Sequence, residues 1–194
     1  MNRSDRVAGA VLTGGASRRM GRDKATLPVG GRAMGDRVVD ALVAAGLAPV
    51  FCVGGRGLPG VELVADHGPA GGGPMGGIRA ALDRAARAGA TMVAVLACDL
   101  PDATADGVLA VVRALADAPA AVVAVPLVGG RAEPLHAVWR VEAAALLPLG
   151  EAAVHRVIAA LAHVEVGGLD PAWFRNVNTP QDLTGLPAPG GPDR

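Results

Sequence analysis

Residues 91–97 read T-M-V-A-V-L-A, carry no charge, and run into C-D-L-P. So short and apolar a run is expected of a central strand buried on both faces, and such strands belong to parallel sheets covered by helices on either side. The rest of the chain supplies partners for it. Residues 7–12 form another apolar run, closed by Gly14-Gly15; residues 49–53 read as a second strand ended by Gly54-Gly55, and residues 61–65 as a third that delivers Asp66. Between them, residues 36–45 place Val38, Val39, Leu42 and Val43 on one helical face before Gly46, and residues 78–88 do the same with Ile78, Ala81, Leu82 and Ala85. Residues 104–117 read as a helix with Thr104 as N-cap and Asp106 in its first turn.

Further on the alternation loosens after Gly129-Gly130. Strands are expected at 121–125, at 134–139 (not necessarily parallel) and at 163–166, with a helix at 152–162. A last extended segment, 173–177, precedes a short helix near 181–183. No repeat of fixed period is present. The pattern predicts a single α/β domain with a mainly parallel sheet over residues 1–186, and a flexible tail, rich in Pro and Gly, over 187–194.

Composition narrows the partners. Lys+Arg 18 against Asp+Glu 18 gives no net charge, which removes the bulk electrostatic case for nucleic acid or a membrane surface. Aromatic residues are only 2%, so stacking platforms for single strands are scarce. Cys52 and Cys98 lie far apart in apolar runs and read as small buried hydrophobes; without a C-x-x-C pair a structural zinc site has no support. Residues 1–7 are polar and no apolar run is long enough to span a bilayer, so a soluble cytoplasmic protein is expected. One of the 18 basic residues, Lys24, is lysine, leaving 17 arginines. A lysine surviving among so many arginines suggests a position needing a compact ammonium.

In a parallel sheet the ligand crevice lies beyond the carboxyl ends of the strands. That geometry directs attention to residues 13–24, 54–57, 66–77 and 98–102. The first of these, within L-T-G-G-A-S-R-R-M-G-R-D-K-A, combines Gly14 and Gly15 with Arg18, Arg19, Arg22 and Lys24, a composition suited to polyphosphate. It is neither a P-loop, since Arg22 and Asp23 follow Gly21, nor a dinucleotide fingerprint, since Gly14-Gly15-Ala16-Ser17 does not supply G-x-G-x-x-G after the first strand. Asp99 at the end of the most apolar strand is a candidate Mg²⁺ ligand, against the plainer reading of a turn or capping aspartate. Asp66 is a similar candidate, or an acceptor for a ribose or base. The glycines of G-G-G-P-M-G-G-I, residues 71–78, permit close backbone approach to a ligand, or make a flexible loop. Asn176 and Asn178 point the same way in an extended segment, and can serve a cleft while Thr179 and Pro180 open the last helix. The four histidines show no metal spacing; His136 is either a cleft residue or, as is commoner, a core or surface residue. G-x-S-x-G is absent.

Taken in order, L-T-G-G-A-S-R-R-M-G-R-D-K-A, G-G-G-P-M-G-G-I, A-C-D-L-P, E-P-L-H-A-V-W and N-V-N-T-P-Q-D-L resemble the molybdenum cofactor guanylyltransferases of the nucleotidyltransferase superfamily, over about residues 7–184. The resemblance implies a three-layer Rossmann-like sandwich of the nucleotide-diphospho-sugar transferase type. It implies transfer of GMP from GTP to the phosphate of molybdopterin, with Mg²⁺ as cofactor and with proteins that deliver or accept the cofactor as conceivable partners. By the same resemblance, Leu12, Thr13 and Gly14 contact the guanine nucleotide, Gly15 and Arg19 the triphosphate, and Lys24 phosphate oxygens. Asp66 takes the nucleoside side, Asp99 holds Mg²⁺, and Asn176 and Asn178 face the pterin acceptor or its phosphate. Arg19, Lys24 and Asp99 are the catalytic residues so implied. Two departures stand out: Thr13 where the family usually has Ala, and V-G-G-R at 53–56 where many members carry an Asn. The base therefore stays open between GTP and CTP, as do another phosphate acceptor and a GTP-binding homologue without turnover.

Overall fold

The computed structural model describes residues 6–14, 24–67, 73–177 and 182. Strands β1 (Val7–Leu12) and β6 (Met92–Ala97) are buried along their whole length and pair in parallel. β4 (Val50–Val53) lies on the other side of β1, and β5 (Glu62–Val64) beyond it, both parallel. Past β6 come β9 (His136–Arg140), β7 (Val123–Val128) and β10 (His163–Val166), giving the order β10-β7-β9-β6-β1-β4-β5. Short β8 (Arg131–Ala132) hairpins onto β7, and β2 (Pro28–Val29) with β3 (Arg32–Ala33) forms a separate ribbon.

Helices cover both faces, because alternate residues of the buried strands point to opposite sides. Ala8, Ala10 and Leu12 pack in one cluster with Ile78 and Leu82 of α2 (Pro74–Arg87) and Ile158 of α4 (Val154–Ala160). Val7 and Val11 pack in another, with Val38 and Leu42 of α1 (Met34–Ala44) and Val112 of α3 (Ala105–Asp117). The result is the expected α/β sandwich of three layers, with Thr104 capping α3 by accepting from the Gly107 amide at 3.1 Å. No helix among the described residues is long and apolar enough to cross a membrane.

The strand that need not be parallel, β9, is antiparallel to β6 and β7, because residues 129–135 are too few for a parallel crossover. Other local expectations change. Gly129-Gly130 does not simply break the pattern: both have positive φ and close the β7–β8 hairpin, as Gly30-Gly31 close β2–β3, a ribbon the periodicity did not signal. The buried stripe of α1 is Met34, Val38, Ala41 and Leu42, leaving Val43 57% exposed. Residues 173–174 are not extended: Pro171–Phe174 is a 3-10 turn, started by Pro171 and capped by Asp170, whose carboxylate accepts from the Ala172 amide at 2.9 Å. The helix expected near 181–183, Asp182 apart, and the tail 187–194 lie outside the described residues.

Candidate active site

The chain leaves β1 towards β4 and β5, then returns to place β6 on β1's other flank. The sheet order thus reverses at β1, and the crevice expected of such a fold opens beyond the ends of β1 and β6. The two ends are tied together: the Cys98 amide donates to the Leu12 carbonyl at 3.2 Å.

At the tip of β1, the Thr13 side chain is buried against the tip of β4. Its hydroxyl donates to the Gly54 carbonyl at 2.6 Å, and the Thr13 and Gly14 amides both donate to the Val53 carbonyl, at 3.0 and 3.2 Å. The Gly14 amide is therefore engaged by β4 rather than presented to an anion, which corrects the expectation of an N–H cradle beginning there. Gly54-Gly55 lies directly beneath. A Cβ at Gly55 would stand 2.2 Å from the Thr13 carbonyl oxygen, and both glycines have positive φ. The V-G-G-R departure at 53–56 is thus what lets the two loops touch.

Lys24 opens a 3-10 turn, Lys24–Thr26, which packs against α1 and whose Ala25 is buried. Its ammonium reaches Asp99 at the end of β6, with Nζ 3.3 Å from Oδ2 and side chains 19% and 18% exposed. A hard carboxylate in such a position fits Mg²⁺, which is held by one or two carboxylates and by substrate phosphates while keeping several waters. No group of three or more metal-binding side chains occurs among the described residues.

Asp66 follows β5 and stays exposed at the same edge of the sheet. A Cβ on Gly54 or Gly77 would stand 3.5 or 3.6 Å from its Oδ2, so Asp66 sits between the β4 tip and the first turn of α2. Gly77 allows that turn to approach Leu12, whose Cδ2 a Cβ would meet at 3.1 Å. The N-terminal end of α2, where unpaired amides favour anions, thereby borders the crevice.

The closing segment is brought to Asp99 as well. The Val177 amide donates to the Asp99 carbonyl at 2.9 Å, and the Val177 side chain is buried with Val29 and Met34. Asn176, its neighbour, is exposed, with Nδ2 3.5 Å from the Phe174 carbonyl. Gly15, Arg18, Arg19, Arg22, Asn178, and 68–72 of the glycine-rich loop lie outside the described residues.

One feature escaped the sequence reading. Asp102 is flanked by two guanidinium groups: Arg175 donates to its Oδ2 from Nε at 2.8 Å and from Nη2 at 2.6 Å, and Arg37 Nη2 lies 3.6 Å from Oδ1. Arg175 stands next to the N-V-N run, the one hint available. His136 is a core residue, 1% exposed, its ring 4.7 Å from that of Phe174. Burial pushes its pKa down to about 4, so the ring is neutral near pH 7, and neither nitrogen has a partner among the described residues.

The family model for the MobA-like NTP transferase domain matches residues 9–166. A protein of Opitutus terrae named probable molybdenum cofactor guanylyltransferase is 41% identical over 163 residues, which is 80% of this chain and 79% of its own length. The molybdenum cofactor guanylyltransferase of Rhodobacter capsulatus is 37% identical over 187 residues, 92% of this chain and 93% of its own. The crystal structure of molybdopterin-guanine dinucleotide biosynthesis protein A from Archaeoglobus fulgidus shares the fold, with a TM-score of 0.69 at 22% identity, covering 91% of this chain and 94% of that one.

Proposed function

The chain belongs to the MobA-like NTP transferase family, and from that premise we propose that it transfers GMP from GTP to the phosphate of molybdopterin, in the cytoplasm and with Mg²⁺. The observation that carries this reading is the 3.3 Å approach of Lys24 Nζ to Asp99 Oδ2 at the fold's ligand crevice. It joins the chain's lone ammonium to a carboxylate suited to a metal–triphosphate.

In the reaction, a phosphate oxygen of the acceptor attacks the α-phosphorus of GTP. A new P–O bond forms there, the bond to the bridging oxygen breaks, and pyrophosphate departs with that electron pair. The attacking phosphate is already anionic at neutral pH, so no side chain need remove a proton. Catalysis rests on positioning and on charge placed where it develops. Lys24, with Arg19, stabilises the departing pyrophosphate, while Asp99 is the residue that would hold Mg²⁺. When bound, that ion supplies positive charge to the phosphate oxygens. Leu12, Thr13 and Gly14 are assigned to the guanine nucleotide, Gly15 to the triphosphate, Asp66 to the nucleoside, and Asn176 and Asn178 to the acceptor.

The test supplies each of the four NTPs with Mg²⁺ and molybdopterin, and reads pyrophosphate together with the dinucleotide product. Turnover with GTP supports the reading, and turnover with CTP alone would move the base assignment. GTP binding without pyrophosphate in the presence of acceptor would make the protein a non-catalytic homologue.

A further inference from the structure

Asp102 joins parts of the molecule that are remote in sequence. Each of its carboxylate oxygens faces a different arginine: Oδ1 faces Arg37 of α1, and Oδ2 accepts both hydrogen bonds from Arg175 in the closing segment. Arg37 also donates from Nε to the Pro101 carbonyl at 2.8 Å, so the turn after Asp99 is pinned to α1 from both backbone and side chain. Arg175 precedes Asn176, and Val177 returns to the Asp99 carbonyl. The Asp102 side chain is only 15% exposed, and its loss would leave two guanidinium groups facing each other.

We propose that Asp102 is a positioning residue that clamps the closing segment 175–177 against the Asp99 turn, and so sets where Asn176 stands relative to the reacting phosphates. The inference rests on the reading of Asn176 as acceptor-facing. The nucleotide side does not depend on the clamp in the same way. Asp99 is held by β6 and the Cys98–Leu12 hydrogen bond, and Lys24 by a turn whose Ala25 is buried. Segment 175–177, in contrast, is joined to the Asp99 turn through the Arg175–Asp102 pair and the Val177 amide. Releasing Arg175 therefore weakens acceptor binding and alignment selectively.

The experiment compares the full chain with Asp102→Asn, Arg175→Ala and the double variant, measuring the KM values for GTP and molybdopterin separately, with kcat. Both single variants are expected to raise the molybdopterin KM about tenfold, as loss of binding contacts does, with the GTP KM within about twofold. The double variant is expected to match the singles, since all three break one unit. Arg175→Ala leaves Asp102 beside Arg37, so it remains informative should Asp102→Asn fold poorly. Equal shifts in both KM values, or a fall in kcat with neither KM changed, would make Asp102 a merely structural residue and overturn the proposal. A second readout does not need turnover: hydrogen exchange of the Val177 amide should accelerate in either single variant. If the parent forms no dinucleotide with any NTP, the functional reading fails by itself and the exchange result alone decides the clamp; unchanged exchange refutes it.

Discussion

Lys24 Nζ lies 3.3 Å from Asp99 Oδ2 although 75 residues separate the two in sequence. The pair spans the reversal of sheet order at β1, where the ends of β1 and β6 lie side by side. Both side chains keep some access to solvent, so the pair is a suitable place for exchangeable charge. A phosphate can draw the ammonium and a cation can draw the carboxylate without unfolding anything.

Lys24→Ala should therefore cost catalysis rather than folding. Loss of about 2–4 kcal/mol of transition-state stabilisation is expected, read as kcat/KM with GTP and molybdopterin, with little change in melting temperature. Asp99→Asn should differ in kind: activity falls, and the Mg²⁺ concentration for half-maximal rate rises. Parental rates and an unshifted Mg²⁺ titration in these variants would remove both residues from the reaction.

Gly55→Ala should strike the scaffold under the crevice. Its Cβ would come within 2.2 Å of the Thr13 carbonyl oxygen in a backbone conformation with φ of 61°. Backbone atoms on both sides leave no flexible group to yield. Strain of this kind costs on the order of 1–3 kcal/mol before the clash is counted, and urea denaturation should register at least that much. An unchanged denaturation midpoint would mean the β1 and β4 tips are not in contact.

Much of this arrangement is legible in the sequence, for physical reasons. Residues 92–97 announce a buried strand because none of M-V-A-V-L-A carries a polar side chain, and Asp99 follows at its tip. Lys24 stands out against arginines at every other basic position. The clamp of Arg37, Asp102 and Arg175 is illegible, because each is an ordinary charged residue until the fold brings residues 65 and 73 positions apart together. Val43 misleads by having the right hydropathy on a helix whose buried stripe is set by Met34, Val38, Ala41 and Leu42. The two Gly-Gly hairpins are written as breakers, and only strand pairing tells a tight turn from an interruption. Thr13 reads as a ligand contact by resemblance, while its hydroxyl serves Gly54.

Cys52 should be chemically silent in the folded protein. Burial raises its pKa to about 11, partly opposed by a hydrogen bond with the Leu58 backbone and reinforced by Asp36. At pH 8 the thiolate is scarce and the sulfur is covered, both of which suppress alkylation. Peptide mass spectrometry after iodoacetamide treatment should find Cys52 unmodified in the native protein and labelled in urea. Rapid native labelling would contradict its place beneath α1.

His136 should make stability depend on pH in a defined window. Its folded pKa of about 4 lies below the ordinary value of 6.5, because burial disfavours the imidazolium. Between those values the unfolded chain takes up a proton that the folded ring refuses. The contribution is thus present in full above pH 6.5 and is lost as pH falls towards 4. A shift of that size corresponds to roughly 3 kcal/mol. Carboxylates titrate in part of the same range, so the informative quantity is the difference between the parent and His136→Leu, measured by urea unfolding from pH 4 to 7. Leucine has no proton to bind and leaves no unpaired nitrogen beside Phe174. The variant should gain on the parent as the solution is acidified through the window, and parallel curves for the two proteins would show that the ring is protonated, or hydrated, in the native fold.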